Sequence, residues 1–381
     1  MVTRSTFQDL SLPRLAMGNM RLPTAGSGRG APIDEEKAAA IIDYVYENGV
    51  NYFDTAWMYH GGNSEKFLGR TLPRYPRQSY YLASKMPGFA LAEGQPASEI
   101  FEEQLARCQT DYFDFYLLHN VSENSVSIYN DPDRGIIPYL LEQKRLGRIR
   151  HFGFSSHSRP ETLRAFLDRW DCFEFVQIQL NYLDWTMQDA KQQYEIITEH
   201  GLPVWVMEPC RGGRLASLSP EADQILLQAR PDKSVASWAF RWQQGLPGVQ
   251  IVLSGMTTME QAVDNVATFT EAQPLNTQES AVLQQALQLL LSQINVPCTA
   301  CHYCDGCPMD LEIPDILAEY NRFALDPGPD IHDRMAAFHQ PDTCIACGAC
   351  AAKCPQNIDI PGAMEKFAAA IAAQPRPGQR P

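Results

Sequence analysis

At 381 residues the chain exceeds one average domain and suits one large barrel plus a small appendage. Its hydrophobic content of 45% is ordinary for a globular protein, and no apolar run is long enough to span a membrane as a helix. A formal net charge of −14 argues against a nucleic-acid-binding surface, which would need clustered Lys and Arg.

From about residue 14 to 270, short runs rich in Val, Ile, Phe and Tyr alternate with amphipathic stretches. The expected strands are R-L-A-M-G-N-M (14–20), V-N-Y-F-D-T (50–55), Y-Y-L-A-S-K (80–85) and D-F-Y-L-L-H (114–119). They continue with R-H-F-G-F-S-S (150–156), F-V-Q-I-Q-L-N (175–181), V-W-V-M-E-P (204–209) and V-Q-I-V-L-S-G (249–255). Such composition suits parallel strands buried on both faces. Between the first two, Asp34 predicts an N-cap, and Ala38, Ile41, Ile42 and Val45 repeat at helical spacing until Asn48-Gly49 closes the helix. Eight strands, each followed by a helical crossover, predict a (β/α)8 TIM barrel over residues 1–270. A doubly wound sheet fits less well, because no G-x-G-x-x-G follows an early strand.

Beyond the barrel a connecting helix is expected at 271–295, a cysteine-rich segment at 296–362, and a partly disordered tail at 363–381 that ends in Q-P-R-P-G-Q-R-P (374–381). Eight of the eleven cysteines fall in two runs of that segment. The first is Cys298, Cys301, Cys304 and Cys307, followed by Pro308; the second is Cys344, Cys347, Cys350 and Cys354, followed by Pro355. The second run has the C-x2-C-x2-C-x3-C-P spacing of bacterial ferredoxins, in which the fourth cysteine ligates the other cluster. This predicts a small α-helical ferredoxin-like iron–sulfur domain with two [4Fe–4S] clusters. Cys298, Cys301, Cys304 and Cys354 would bind one, and Cys307, Cys344, Cys347 and Cys350 the other. The last step of the first run is x2, not x3, a departure from the pattern. A disulfide framework suits small secreted domains, and zinc usually takes two separated C-x2-C pairs. The start M-V-T-R-S-T-F-Q-D-L-S lacks a charged-then-apolar secretory pattern, so a reducing cytoplasm is the expected location.

In such a barrel, polar residues at the carboxyl ends of strands are the candidates for catalysis. Asp54 ends the second strand, Tyr59 lies in the loop after it, Lys85 closes the third strand and His119 the fourth. A Tyr needs help to act as an acid near neutral pH; an adjacent Lys ammonium would lower its pKa, and an Asp would hold that Lys charged. A neutral His could orient a carbonyl oxygen. Singly, each has a plainer role, as a turn residue, a surface charge or a core histidine. Their joint placement at strand ends favours chemistry.

N-Y-F-D-T-A, Y-L-A-S-K and D-F-Y-L-L-H, with Asp54, Tyr59, Lys85 and His119 in order, resemble the aldo-keto reductase family over roughly residues 10–270. With the cysteine segment, the whole chain resembles the branch of oxidoreductases that carry a C-terminal ferredoxin-like domain. The resemblance implies NADPH or NADH bound in extended form, reduction of a small carbonyl substrate, and Tyr59 as proton donor. It implies cofactor contacts from Gly18, Asn19 and Met20 after the first strand, from Ser155, and from Gln177. Ser156 stands where the family usually has Asn, and Met207 where many members stack a tyrosine on the nicotinamide. Ser254, Gly255, Gln261 and Asn265 match the adenosine end, but Thr257 and Thr258 replace the basic residue that usually meets a 2′-phosphate. Arg211 and Arg214 could contact phosphate or be solvated loop charges. A redox partner protein is a possible second partner, since a cluster moves one electron and a hydride carries two. The alternative function is an iron–sulfur electron-transfer or redox-sensing protein whose barrel docks a cofactor or partner without reductase turnover.

Overall fold

A computed structural model of the chain describes residues 1–26, 30–292, 294–325, 328 and 330–375. It divides into two compact units: Met1–Cys210 with Lys233–Thr277, and Arg211–Asp232 with Gln278–Pro381.

The first unit begins with an antiparallel hairpin, β1 (Arg4–Phe7) and β2 (Leu10–Pro13). Eight parallel strands then close into a barrel: β3 (Leu15–Gly18), β4 (Tyr52–Asp54), β5 (Tyr81–Met86), β6 (Phe113–Val121), β7 (Ile149–Ser156), β8 (Val176–Gln179), β9 (Val204–Met207) and β10 (Val249–Ser254). They follow in sequence order around the barrel, and β10 pairs with β3 to close it. All eight expected strands are present. The hairpin before them was not expected from the sequence.

Period-two alternation divides the strand residues between two cores. Leu15, Phe53, Leu82, Tyr116, Leu118, Val204 and Val206 face the helices. Tyr52, Ala83, Phe115, Leu117, Phe175, Trp205 and Ile251 fill the interior. Gly153 makes room for this filling, since a Cβ there would lie 2.7 Å from the Phe175 ring. The hairpin closes one end of the interior. Its Phe7 is buried and meets the rings of Trp205 and His151 edge-on, both at 5.1 Å. With that end plugged, the carboxyl ends of the strands form the barrel's mouth.

The helix Glu35–Glu47 shows how the sequence sets the outer layer. Asp34 accepts the Lys37 N–H at 3.1 Å as its N-cap, and Ala38, Ile41, Ile42 and Val45 form its buried face.

The second unit is helical. Its core gathers Leu311, Ile313, Leu317, Met335, Met364 and Phe367, among others, from the helices Ile313–Leu325, Ile331–Met335 and Ile360–Ala372 and the loops between them. The last of these helices crosses the boundary expected at 362. Ala363, Met364, Phe367 and Ile371 are buried, so an apolar face continues where a tail was expected, and residues 376–381 lie outside the described residues. The helix Pro220–Ala229, expected within the barrel, also belongs to this unit, where Arg230 pairs with Glu279 at 2.6 Å. Among the described residues no helix is long and apolar enough to cross a membrane.

Candidate functional site

The polar groups at the barrel mouth stand one pleat beyond its apolar filling. Along five strands an interior residue, on the strand or just before it, is followed two positions later by a candidate: Tyr52 by Asp54, Ala83 by Lys85, Leu117 by His119, Phe175 by Gln177 and Trp205 by Met207. Period two therefore aims all five into the mouth.

Lys85 is fully buried and donates from Nζ to Asp54 Oδ1 at 2.6 Å and to the Thr55 carbonyl at 2.7 Å. Its third neighbour is the Tyr59 hydroxyl at 3.4 Å. The His119 ring meets Tyr59 edge-on at 6.1 Å and Phe89 at 5.5 Å. The structure thus brings Asp54, Tyr59, Lys85 and His119 together.

Burial pushes the Asp54 carboxyl up and the Lys85 ammonium down, and each is opposed by the charge of its partner. Burial, then Lys85 and His157, hold His119 well below the usual imidazole range, so it is neutral near pH 7. Tyr59 departs from the expected direction. Burial, then Asp54 and Glu208, raise its pKa well above 10, with Arg21 opposing them. Lys85 lies close enough to favour phenolate, but loss of solvent and two carboxylates outweigh it. Tyr59 therefore keeps its proton at neutral pH.

Several supporting residues were not singled out from sequence. Buried Glu65 accepts from Ser84 Oγ and Gln104 Nε2, both at 2.6 Å, and pairs with Arg107 at 3.2 Å. Gln104 Nε2 also donates to the Lys85 carbonyl at 3.0 Å, which fixes the strand end carrying the ammonium. Tyr129 OH lies 2.6 Å from the His119 carbonyl and anchors the next strand end. Arg21 pairs with Glu208 at 3.4 Å. A partner in helix Ala97–Cys108 or in a distant loop leaves no local motif, so only burial could have revealed these roles.

The expected cofactor residues divide by what already occupies them. Gln177 Nε2 lies 3.6 Å from Met207 Sδ, while Gln177 Oε1 is buried without a hydrogen-bond partner. That orphaned acceptor in the mouth fits an amide donor such as a nicotinamide carboxamide. Ser155 Oγ accepts the Asn120 N–H at 2.9 Å, and Ser156 Oγ donates to the Val121 carbonyl at 3.1 Å. Asn19, following Gly18 and preceding Met20, is buried and donates to the Asp54 carbonyl at 2.9 Å. Asn265 Nδ2 donates to Ser254 Oγ at 3.0 Å. Gln261 caps its helix, accepting the Thr257 N–H at 2.7 Å, two residues after Gly255. Arg211 and Arg214 fall outside the barrel unit that carries this set. They belong to the second unit, where Arg211 Nη2 donates to the Pro297 carbonyl at 2.8 Å.

In that unit the cysteines form two neighbour sets. Burial first, then the charges of Cys301, Cys298, Asp305 and Cys354, push the Cys304 thiol up to about 12. Cys298 is likewise raised by burial and by Cys354. Cys307, Cys344, Cys347 and Cys350 line one small apolar pocket with Leu311, Ile360 and Met364. The fourth cysteine of each run therefore sits with the other run, as ligand crossing requires. The residues present thus fit two clusters. Among the described residues no group of three or more His, Cys, Asp or Glu meets the geometry of a single-ion site.

Residues 14–288 match the Aldo/keto reductase family, well over half of the chain. The chain belongs to the aldo-keto reductase family. Residues 297–358 match the 4Fe-4S dicluster domain, so this member carries an iron–sulfur domain after its barrel. An uncharacterised oxidoreductase of Bacillus subtilis is 25% identical over 307 residues, covering 72% of this chain and 93% of its own. The L-galactose dehydrogenase of Arabidopsis thaliana is 27% identical, covering 68% of this chain and 89% of its own. The holo form of an aldo-keto reductase from Bacillus halodurans superposes with a TM-score of 0.61 at 28% identity, covering 75% of this chain and 96% of its own. An aldo-keto reductase of Klebsiella pneumoniae solved with NADPH shares the fold at 22% identity and a TM-score of 0.61, covering 75% of this chain and 95% of its own.

The neutral histidines of this reductase barrel carry a pH signature. Burial lowers His119, as above, and pushes His157 down to about 4. In the unfolded chain both bind protons below about 6.5. The unfolded state therefore holds more protons in the window below that value, and stability falls as pH falls. Thermal unfolding should show a loss of Tm between about pH 6.5 and about pH 4 that is smaller in His157→Gln. An equal acid loss in both proteins would show that His157 does not contribute.

Proposed function

We propose that the barrel reduces a small aldehyde or ketone with hydride from a nicotinamide nucleotide, and that Tyr59 protonates the product oxygen. The observation that carries this reading is the buried Asp54–Lys85–Tyr59 chain beside a neutral His119. Gln177, with Ser155, Met207 and the Gly18–Met20 loop, would hold the nicotinamide. Bound there, the nucleotide supplies the hydride.

The protein's own groups supply the rest. His119 orients the carbonyl oxygen by donating from a neutral ring. As the carbon accepts hydride, the oxygen becomes an alkoxide far more basic than phenolate. Tyr59, protonated by virtue of its raised pKa, delivers its proton there and leaves an alcohol. The Lys85 ammonium, held charged by Asp54, stabilises the phenolate until water returns the proton.

NADH should serve at least as well as NADPH. Thr258 caps the helix Met259–Phe269, and Thr257 Oγ1 donates to the Arg21 carbonyl at 2.9 Å, so residues 254–258 offer a 2′-phosphate no basic side chain. A relative from Escherichia coli, 22% identical over 302 residues, is an NADH-specific methylglyoxal reductase. Methylglyoxal is accordingly a suitable first probe. Anaerobically purified protein should oxidise NADH in its presence and form one alcohol per nucleotide. Neither nucleotide being bound or oxidised across a panel of small aldehydes and ketones would overturn the proposal.

Beside this chemistry, two [4Fe–4S] clusters would be held by Cys298, Cys301, Cys304 and Cys354, and by Cys307, Cys344, Cys347 and Cys350. Each supplies a one-electron redox centre, which suits exchange with a partner protein.

A further inference from the structure

Lys85 reaches the mouth from β5 and Tyr59 from the loop after β4, so the backbone of two segments sets their spacing. Three successive carbonyls hold that loop. Thr55 accepts Lys85 Nζ at 2.7 Å, Ala56 accepts the Tyr59 N–H at 3.1 Å, and Trp57 accepts Arg107 Nη1 at 3.2 Å. The same Arg107 nitrogen lies 3.2 Å from Glu65 Oε2, and the guanidinium covers the Trp57 ring at 3.6 Å. Arg107 also pairs with Glu103 at 2.6 Å. The other oxygen, Glu65 Oε1, accepts Gln104 Nε2 at 2.6 Å, and Gln104 in turn donates to the Lys85 carbonyl at 3.0 Å. Tyr116 orients this amide by donating to Gln104 Oε1. A continuous chain thus runs from the Lys85 carbonyl through Gln104, Glu65 and Arg107 to the Trp57 carbonyl, two residues before Tyr59.

Gly69 makes this chain possible. A Cβ there would lie 2.2 Å from the Arg107 carbonyl, so helices Asn63–Thr71 and Ala97–Cys108 touch backbone to backbone. Glu65, one turn before Gly69, then reaches both Gln104 and Arg107. Glu65 and Gln104 are fully buried. A buried ion costs desolvation that apolar filling would avoid, so stability alone gives it no advantage. What it adds is a fixed distance between two carbonyls.

We propose that Glu65 and Arg107 are positioning residues for carbonyl reduction, holding the Lys85 strand end and the Tyr59 loop at one spacing. The inference rests on the reductase reading above. Both residues act through the 3.4 Å approach of the Lys85 ammonium to the Tyr59 hydroxyl. With that approach loosened, the phenolate left by proton transfer loses its stabilising charge, while nucleotide binding is untouched.

The test is steady-state kinetics of the anaerobic full-length protein with NADH and methylglyoxal, or whichever carbonyl of the panel above wild type reduces best. Arg107→Met keeps an apolar cover on Trp57 and breaks the chain. Its kcat should fall about 10–10²-fold with KM and nucleotide affinity nearly unchanged, and the solvent deuterium effect on kcat should grow. Arg107→Lys should recover much of the rate, because a single nitrogen serves both acceptors. Glu65→Gln combined with Arg107→Met leaves no stranded carboxylate, and should fold and show that same loss even where Arg107→Met alone is unstable. In a Tyr59→Phe background these changes should lower the rate no further, since they act through the missing hydroxyl. Losses that multiply with that of Tyr59→Phe, or a lowered Tm beside an unchanged kcat, would overturn the proposal and leave the pair a folding role. A wild type that reduces no carbonyl would instead remove the reductase reading, and this inference with it.

Discussion

Tyr59→Phe should lower carbonyl reduction by about 10²–10⁴-fold, the usual contribution of a positioned general acid. The substitution removes one hydroxyl and keeps the ring, so the edge-on contact with His119 at 6.1 Å survives. Lys85 loses only its longest neighbour, at 3.4 Å, and keeps Asp54 at 2.6 Å and the Thr55 carbonyl at 2.7 Å. Folding and nucleotide affinity should therefore change little, and the loss should fall on kcat, since the donated proton matters only as the alkoxide forms. Transient kinetics with a deuterated nucleotide would locate the effect in the chemical step. A variant that turned over at nearly the wild-type rate would exclude Tyr59 as the proton donor. A variant with weakened nucleotide binding and unchanged kcat would assign the hydroxyl to binding instead.

Much of the barrel was legible in the sequence because its code is local. Val, Ile, Phe and Tyr runs mark strands whatever they pack against, and Asp34 with Ala38, Ile41, Ile42 and Val45 marks a helix with one buried face. The mouth was legible for the same reason, since Asp54, Lys85 and His119 each stand two residues beyond an apolar interior position. What escaped depends on packing between distant residues. The hairpin that plugs the barrel is recognisable only once Phe7 is seen against Trp205 and His151. Helix Pro220–Ala229 reads like any crossover helix, and its membership of the cysteine-bearing unit comes from contacts such as Arg230 with Glu279. The two arginines near it in sequence were read through their position after β9, whereas Arg211 is buried with its guanidinium on the Pro297 carbonyl. The direction of the Tyr59 shift escaped similarly, because a nearby ammonium is visible in sequence order and the extent of desolvation is not.

The Asp54–Lys85 pair gives the second large effect, in stability as well as rate. Lys85→Met keeps most of the side-chain volume and deletes the charge, which leaves Asp54 buried with its cation gone. Breaking a buried pair by removing one member typically costs about 3–5 kcal/mol. Burial already raises the Asp54 pKa, and Lys85 is what opposes that rise, so the variant should raise it further. With the folded pKa above the unfolded value of about 3.9, the folded state binds the extra proton, and stability declines as pH rises through that window. Denaturant unfolding should accordingly show the largest deficit at neutral pH and a smaller one in mild acid. Adding Asp54→Asn to Lys85→Met removes the stranded charge, and should recover much of the stability while leaving carbonyl reduction as low as in the single variant. That divergence separates the pair's electrostatic service to Tyr59 from its contribution to folding. Lys85→Met as stable as wild type at pH 7 would mean that the two groups are not held as ions. A double variant no more stable than the single one would show that the deficit comes from repacking around the methionine.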